Sequence, residues 1–139
     1  MSLKIISYNI HKGFGPGGFR FTLSQIKNFL HQLNADVVFL QEAVGEHSGK
    51  KIIIPDFESN NQVDYLASNL YPHTIYGANK LHKWGHHGNA ILSKYPLSLI
   101  ENHNISQNRF ESRGLLHATL DWNKSHEPIH LFNTHLNLL

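Results

Sequence analysis

The sequence contains no cysteine, and this absence excludes disulfides, thiol nucleophiles and zinc sites built from thiolates. Long apolar runs are also missing. The longest, such as residues 52–54 and 37–40, fall far short of the roughly 20 residues that a membrane-spanning helix needs. We therefore expect no membrane span.

Charge of either sign is scarce: 12 lysines and arginines against 10 aspartates and glutamates leave a formal net charge of +2 over 139 residues. The basic residues are scattered, so the charge neither demands nucleic acid nor excludes an anionic substrate. No signal peptide is predicted, because polar Ser7 and Asn9 follow only two isoleucines, and we expect a cytoplasmic location. Histidine, by contrast, is abundant, and the 12 imidazoles would make any phosphate affinity sensitive to pH.

The first third of the chain has the pattern strand, helix, strand. Residues 3–9 and 37–41 are short apolar segments, each predicted to be a strand buried on both faces. A helix is predicted between them, with a capping box at Thr22 and Gln25 and a hydrophobic staple at Phe21 and Ile26. Its apolar face is marked by Leu23, Ile26, Leu30 and Leu33. This order favours a parallel or mixed sheet.

The rest of the chain is predicted to be one further helix followed by short strands. The helix covers residues 62–69, with Asn60 or Asn61 as its cap. Strands are predicted at residues 74–76, 90–93, 97–100, 115–121 and 129–134, and the tight turns between them indicate antiparallel pairing. The whole chain, residues 1–139, is therefore predicted to be part of one α/β sandwich with a mixed β-sheet flanked by helices.

Two polar residues stand at the carboxyl ends of the first two predicted strands. Asn9 ends the first, and Glu42 follows the second directly after Gln41. Ligands of open α/β sheets bind at this edge, and a carboxylate there suits a hard cation such as Mg²⁺. The alternative is structural: Glu42 caps a loop and Asn9 bonds to the backbone of the turn.

Three later residues are further candidates. Asn89 lies at the start of a strand, in the segment 88–96, which ends in Tyr-Pro. Arg113 enters another strand and could grip a phosphate through two hydrogen bonds, although an ordinary surface arginine is an equal alternative. His135 is at the end of the last strand. If that strand is central, His135 faces the same edge as Asn9 and Glu42. The alternative is that such a histidine is structural, as it often is.

Taken together, these segments resemble the endonuclease/exonuclease/phosphatase superfamily, whose members are DNase I-like. The motifs occur in family order over essentially all 139 residues: Ser7-Tyr8-Asn9-Ile10-His11, Leu40-Gln41-Glu42, the segment 87–93 with Tyr95-Pro96, Arg113-Gly114, and Thr134-His135-Leu136. The chain is most similar to a small bacterial branch of that family. The resemblance implies the N-terminal half of a DNase I-like α/β sandwich and Mg²⁺- or Mn²⁺-dependent phosphoester hydrolysis.

The resemblance also implies a role for each candidate. Glu42 would be the metal ligand, Asn9 would support the metal and phosphate site, and His135 would hydrogen-bond a phosphate oxygen. Arg113 and Asn89 would be substrate-binding, the first as a phosphate contact and the second as a residue that shapes the site. The substrate would be a phosphoester, either nucleic acid or a phosphorylated small molecule or lipid headgroup.

The sequence departs from the family in its second half. A complete domain has roughly 250 residues, and its later part supplies an Asp-x-Asn motif and an Asp-His pair that polarises the attacking water. The late aspartate of this chain, Asp121, precedes His135 and does not match. We therefore expect a fragment that is inactive alone. The alternative is a non-catalytic truncated module that binds phosphate or a protein partner.

A chain with half the fold is also expected to expose an apolar sheet face. That face would carry Ile5, Val38, Leu92, Leu116 and Leu131 and would favour a homodimer or aggregation. A zinc site at His82, His86 and His87, or at His126 and His130, is disfavoured because glycine and proline break any helix there. His86 and His87 are instead predicted to line the rim of the phosphate site. The basic-aromatic loop at residues 80–84 could stack on a base or touch a headgroup.

Overall fold

The structure is a computed structural model that describes residues 2–10, 19–47, 61–82, 85–124 and 126–136. For residues 19–22, 46–47, 80–82 and 85 it describes the backbone alone. Along the chain the elements are β1 (Ile5–Asn9), α1 (Phe19–Leu33), β2 (Val37–His47), α2 (Gln62–Ala67), β3 (His73–His82), β4 (Gly85–Ser93), β5 (Leu97–Asn104), β6 (Gly114–Leu120) and β7 (Ile129–Thr134).

The strands form two sheets. The first has the order β1-β2-β4-β3, in which β1 and β2 are parallel and the other neighbours are antiparallel. The second has the order β5-β6-β7 and is antiparallel throughout. The predicted mixed sheet and antiparallel hairpins are both confirmed. The predicted strand at residues 74–76 is longer than expected, because backbone pairing with β4 carries it through a polar stretch.

Successive side chains of β2 point to opposite faces of the first sheet, so the interior has two layers. Val38 and Leu40 point to the helices, whereas Val37 and Phe39 point to the second sheet. On the helix side the apolar faces of α1 and α2 cover the first sheet, and Leu23, Ile26 and Leu30 are buried as predicted, with Leu33 half-buried. Between the sheets lies a core of Val37, Ile91, Leu116, Ala118, Leu120 and Leu131.

This second layer corrects the prediction of a bare apolar face. The chain supplies both sheets, so Leu116 and Leu131 are buried between them, while Val38 and Leu92 are buried under the helices. Of the five residues predicted on that face, Ile5 alone is exposed, at 46%. The homodimer itself stays a prediction, but the face predicted to mediate it is internal.

The prediction that the first strand is buried on both faces is wrong. Ile5 and Tyr8 are 46% and 36% exposed, because β1 is the edge strand of its sheet. The cap of α2 is as predicted: Asn61 Oδ1 accepts hydrogen bonds from the backbone N–H groups of Val63 at 2.9 Å and Asp64 at 3.3 Å. The predicted start of α1 at Thr22 is wrong, because the helix begins three residues earlier at Phe19. The side chains of Phe21 and Thr22 lie outside the described ones. No helix among the described residues is long and apolar enough to cross a membrane.

Candidate active site

Glu42 lies on a β-bulge in the middle of β2. The register with β4 runs from the pair Leu40–Ala90 to the pair Ala43–Gly88, so β2 has one extra residue in this interval. Glu42 has a φ of 55°, in the left-handed region that non-glycine residues avoid. Bulges near active sites re-aim side chains, and strained backbone of this kind clusters at functional sites.

The bulge brings Glu42 to His135. The distance from Glu42 Oε1 to His135 Nδ1 is 3.5 Å, and the two side chains are 24% and 29% exposed. On the other side of the ring, Asn9 Nδ2 lies 3.3 Å from His135 Nε2. The three residues come from the carboxyl ends of β1 and β7 and from the bulge of β2, and they meet at one edge, as the sequence predicts.

The contacts of His135 indicate how its ring is held. The Asn9 amide nitrogen is a donor, so the Nε2 that faces it accepts. In the neutral ring the proton is then on Nδ1, which faces the Glu42 carboxylate. An imidazole between an amide and a carboxylate can present a proton or a lone pair to a ligand after a small rotation.

Arg113 lies at the edge of the second sheet that also carries His135. It immediately precedes β6, and the hydroxyl of Thr134 donates to the carbonyl of Gly114 at 2.9 Å, so Arg113 lies close in the fold to the strand end that carries His135. Its side chain is 14% exposed, and Arg113 Nε lies 3.5 Å from Glu111 Oε2. The structure therefore holds the guanidinium beside an acidic partner at the edge of the site.

Asn89 is not placed for a substrate contact. It is completely buried, and Asn89 Nδ2 donates to the carbonyls of Gly114 at 3.1 Å and Asn133 at 3.3 Å. Both acceptors belong to the second sheet, so Asn89 fastens β4 to that sheet. The substrate-binding role predicted for Asn89, as a residue that shapes the site, stays a prediction, and the structure shows that its amide is turned into the core.

Sequence reasoning missed the neighbours that support the site. A Cβ on Gly114 would meet the side-chain oxygen of Asn79, so a larger residue in the Arg-Gly pair would require the Asn79 side chain to shift. Gln41 and Asn133 are buried and hydrogen-bonded to each other at 2.8 Å. Gln41 lies inside a motif that carries the resemblance and Asn133 immediately precedes another, and a polar residue within an apolar strand was the available signal.

The sequence disfavours a zinc site at the histidines. Among the described residues no group of three histidine or acidic side chains could hold a metal ion. His130 bonds to His117 at 2.8 Å, on the outer face of the second sheet. His86 Nδ1 lies 2.9 Å from the hydroxyl of Tyr76, whose pKa is raised by burial. The rim role of His86 and His87 stays a prediction, and the loop at residues 80–84 lies outside the described side chains.

Asp121 lies at the wrong end of the second sheet to complete the site. It follows the last residue of β6, whereas Arg113 precedes the first. The seven residues of β6 separate them, which is roughly 20 Å at the usual rise of a strand. This position agrees with the sequence prediction that Asp121 does not match a family motif.

Comparison with known proteins identifies the family. The model of the endonuclease/exonuclease/phosphatase family matches residues 6–130. The chain belongs to this family. The predicted DNase I-like α/β fold is confirmed.

Relatives of this endonuclease/exonuclease/phosphatase chain are longer than the chain itself. It is 34% identical over 137 residues to YbhP, an uncharacterized protein of Escherichia coli K12, and covers 54% of that protein. A family member from Beutenbergia cavernae has a TM-score of 0.70 at 23% identity, with 96% of this chain and 38% of that chain covered. One from Leptotrichia buccalis has a TM-score of 0.66 at 19% identity, with 99% and 56% covered. The two structures establish the fold.

The family is generally dependent on divalent metal, and the residues present fit part of such a site. The half-buried carboxylate of Glu42 and the amide of Asn9 offer oxygen atoms, which Mg²⁺ and Mn²⁺ prefer. Mg²⁺ commonly takes one or two carboxylates and completes its shell with water and substrate phosphate. The described residues therefore match a partial site for a hard cation.

Proposed function

We propose that this chain supplies the metal- and phosphate-binding part of a divalent-cation-dependent phosphoester hydrolase. The observation that carries the proposal is the contact of His135 with both Glu42 and Asn9 at one edge of the sheets. A carboxylate, an amide and an imidazole from separate strands meet there. In this combination the carboxylate provides a ligand for a cation, and the amide and the imidazole provide hydrogen-bond donors for a phosphate.

In this proposal each residue has a distinct task. Glu42 binds Mg²⁺ or Mn²⁺, Asn9 supports the cation and the phosphate, and His135 hydrogen-bonds a phosphate oxygen. Arg113 provides a second contact to phosphate from the neighbouring strand. The bound cation would neutralise charge that develops on the phosphate. The substrate class is a phosphoester of nucleic acid or of a small molecule or lipid headgroup, met in the cytoplasm.

We expect the 139-residue chain to show no robust turnover. The Asp-x-Asn and Asp-His motifs that would activate water do not follow His135 within these 139 residues, and loss of general-base catalysis lowers rates by about 10²–10⁴-fold. The second candidate function is therefore a non-catalytic module, in which the same three residues bind phosphate or a protein partner without hydrolysis. The observation that favours it is the position of Asp121 at the far end of the sheet.

Titration with Mn²⁺ tests the proposal directly. The wild-type chain is expected to bind Mn²⁺, Glu42→Gln is expected to lose this binding, and Glu101→Gln is the matched control. Glu101 is also a glutamate beside a histidine, since its Oε2 lies 3.4 Å from His103 Nδ1, but it is 62% exposed and lies on the second sheet.

Hydrolysis of phosphodiester and phosphomonoester substrates, with Mg²⁺ or Mn²⁺, separates the two candidate functions. Binding without hydrolysis fits the expected result. If Mn²⁺ does not bind, or binds equally to Glu42→Gln, the proposed site is wrong. Brisk hydrolysis that Glu42→Gln abolishes would instead show that other residues replace the missing motifs.

A further inference from the structure

Buried polar groups lie directly beneath the three converging side chains. We propose that Gln41 and Asn133 are positioning residues, whose amides join the strands that carry Asn9, Glu42 and His135 and hold these side chains against one another. Gln41 is 8% exposed and Asn133 is 2% exposed. The inference rests on the function proposed above, since it assigns a task to residues that support that site.

The amide of Gln41 connects all three strands. It lies on β2, and Gln41 Nε2 donates to Ser7 Oγ at 3.1 Å and to Asn133 Oδ1 at 2.8 Å. Ser7 is two positions before Asn9, and Asn133 is two positions before His135. Since residues two apart in a strand share a face, the bonded groups form a layer immediately below the site.

The amide of Asn133 closes the bulge. Asn133 Nδ2 donates to the carbonyls of Leu40 at 3.0 Å and Ala90 at 2.8 Å. These two residues are the last regular pair of β2 and β4 before the ladder is interrupted. Asn133 therefore fixes β7 against the first sheet at the point where the extra residue turns Glu42 toward His135.

An amide is the side chain that meets these demands. At position 133 two N–H donors face two carbonyls, while one oxygen accepts from Gln41. An apolar residue would remove the donors that these two carbonyls face. A purely structural role would affect stability alone. A positioning role also predicts that loss of either amide changes the position of the His135 ring and weakens the affinity for the cation.

The test compares Asn133→Asp and Gln41→Met with the control Leu120→Ala in the full chain. Asn133→Asp keeps the shape and removes the donors, and Gln41→Met removes the amide at nearly constant volume. Leu120 is buried in the core between the sheets at the opposite end of β6. Three quantities are measured: the melting temperature, the ¹H–¹⁵N signals of the His135 ring without metal, and the Kd for Mn²⁺. Loss of a signal in His135→Gln assigns the ring.

Both amide variants are expected to shift the His135 signals and to raise the Kd for Mn²⁺ by about tenfold or more, as removal of supporting groups around metal ligands typically does. Leu120→Ala is expected to lower the melting temperature alone. If Asn133→Asp does not fold, Gln41→Met decides the matter, because no buried backbone carbonyl depends on it.

Folded amide variants with wild-type His135 signals and wild-type Mn²⁺ affinity would overturn the inference. It would also be overturned if Leu120→Ala produced the same changes, since general destabilisation would then explain them. A wild-type chain that does not bind Mn²⁺ contradicts the proposed function, while the metal-free ring signals still test the positioning.

Discussion

One buried and one half-buried tyrosine provide a test of what a single hydroxyl contributes. Tyr71 is 4% exposed, and its hydroxyl has no hydrogen-bond partner among the described residues. The hydroxyl of Tyr76 is bonded to His86 Nδ1. An unpaired buried polar group costs about 1–3 kcal/mol, whereas a satisfied one contributes about 1 kcal/mol. We expect Tyr71→Phe to raise the free energy of unfolding and Tyr76→Phe to lower it.

Urea denaturation of the two phenylalanine variants at neutral pH measures both changes. Equal losses of stability in the two variants would mean that Tyr71 has an acceptor after all. An unchanged Tyr76→Phe would mean that its bond to His86 is no stronger than the bond to water that it replaces.

The convergence of Asn9, Glu42 and His135 was predictable from the sequence, but its geometry was not. Asn9, Glu42 and His135 could be chosen because each follows an apolar strand, and polar residues there meet at one edge of a sheet. The left-handed backbone of Glu42 depends on a bulge closed by Asn133, which is remote in sequence, and no local pattern encodes it. The hydrogen bonds of Asn89 were not predictable for a related reason: its acceptors lie on the second sheet.

At the scale of elements, α2 is a short helix whose cap can be tested. It has six residues, too few to be stable alone, and Asn61 accepts from two of its unpaired N–H groups. We expect Asn61→Ala to lower the free energy of unfolding by about 1 kcal/mol and Asn61→Asp to retain it, because an aspartate caps equally well. Thermal melts of the three proteins provide the measurement, and equal melting temperatures would contradict the role of the cap.

The positions of the strands along the chain were predicted well, whereas their burial was not. Residues 3–9 are apolar enough to be a central strand, yet β1 is at the edge of its sheet. Composition cannot distinguish a central strand from an edge strand, since the position of a strand in a sheet depends on the order of all the strands in that sheet. The same limit explains why the second sheet was not recognised as a separate layer that covers the first.

At the scale of the whole molecule, burial of tyrosine makes stability sensitive to alkali. Burial raises the pKa values of Tyr65, Tyr71 and Tyr76 above their ordinary value of 10.0. Below pH 10 both the folded and the unfolded chain keep these protons. Above it the unfolded chain loses them first, so unfolding releases protons and stability falls as the pH rises.

Urea midpoints measured between about pH 8 and about pH 11 test this expectation. The decline should begin near the ordinary tyrosine pKa of 10.0, and Tyr76→Phe should make it shallower. A midpoint that stays constant across the range would show that these phenols titrate alike in the folded and unfolded chains.

The left-handed backbone at position 42 has an evolutionary consequence. A glycine would adopt a φ of 55° without the clash of a Cβ, so selection for stability alone and selection for a carboxylate favour different residues there. If Glu42 binds the cation proposed above, a lineage that kept the fold but no longer bound the cation would be free to exchange Glu42 for glycine. The identity of this one residue should therefore separate descendants that still need the carboxylate from those that retain only the scaffold.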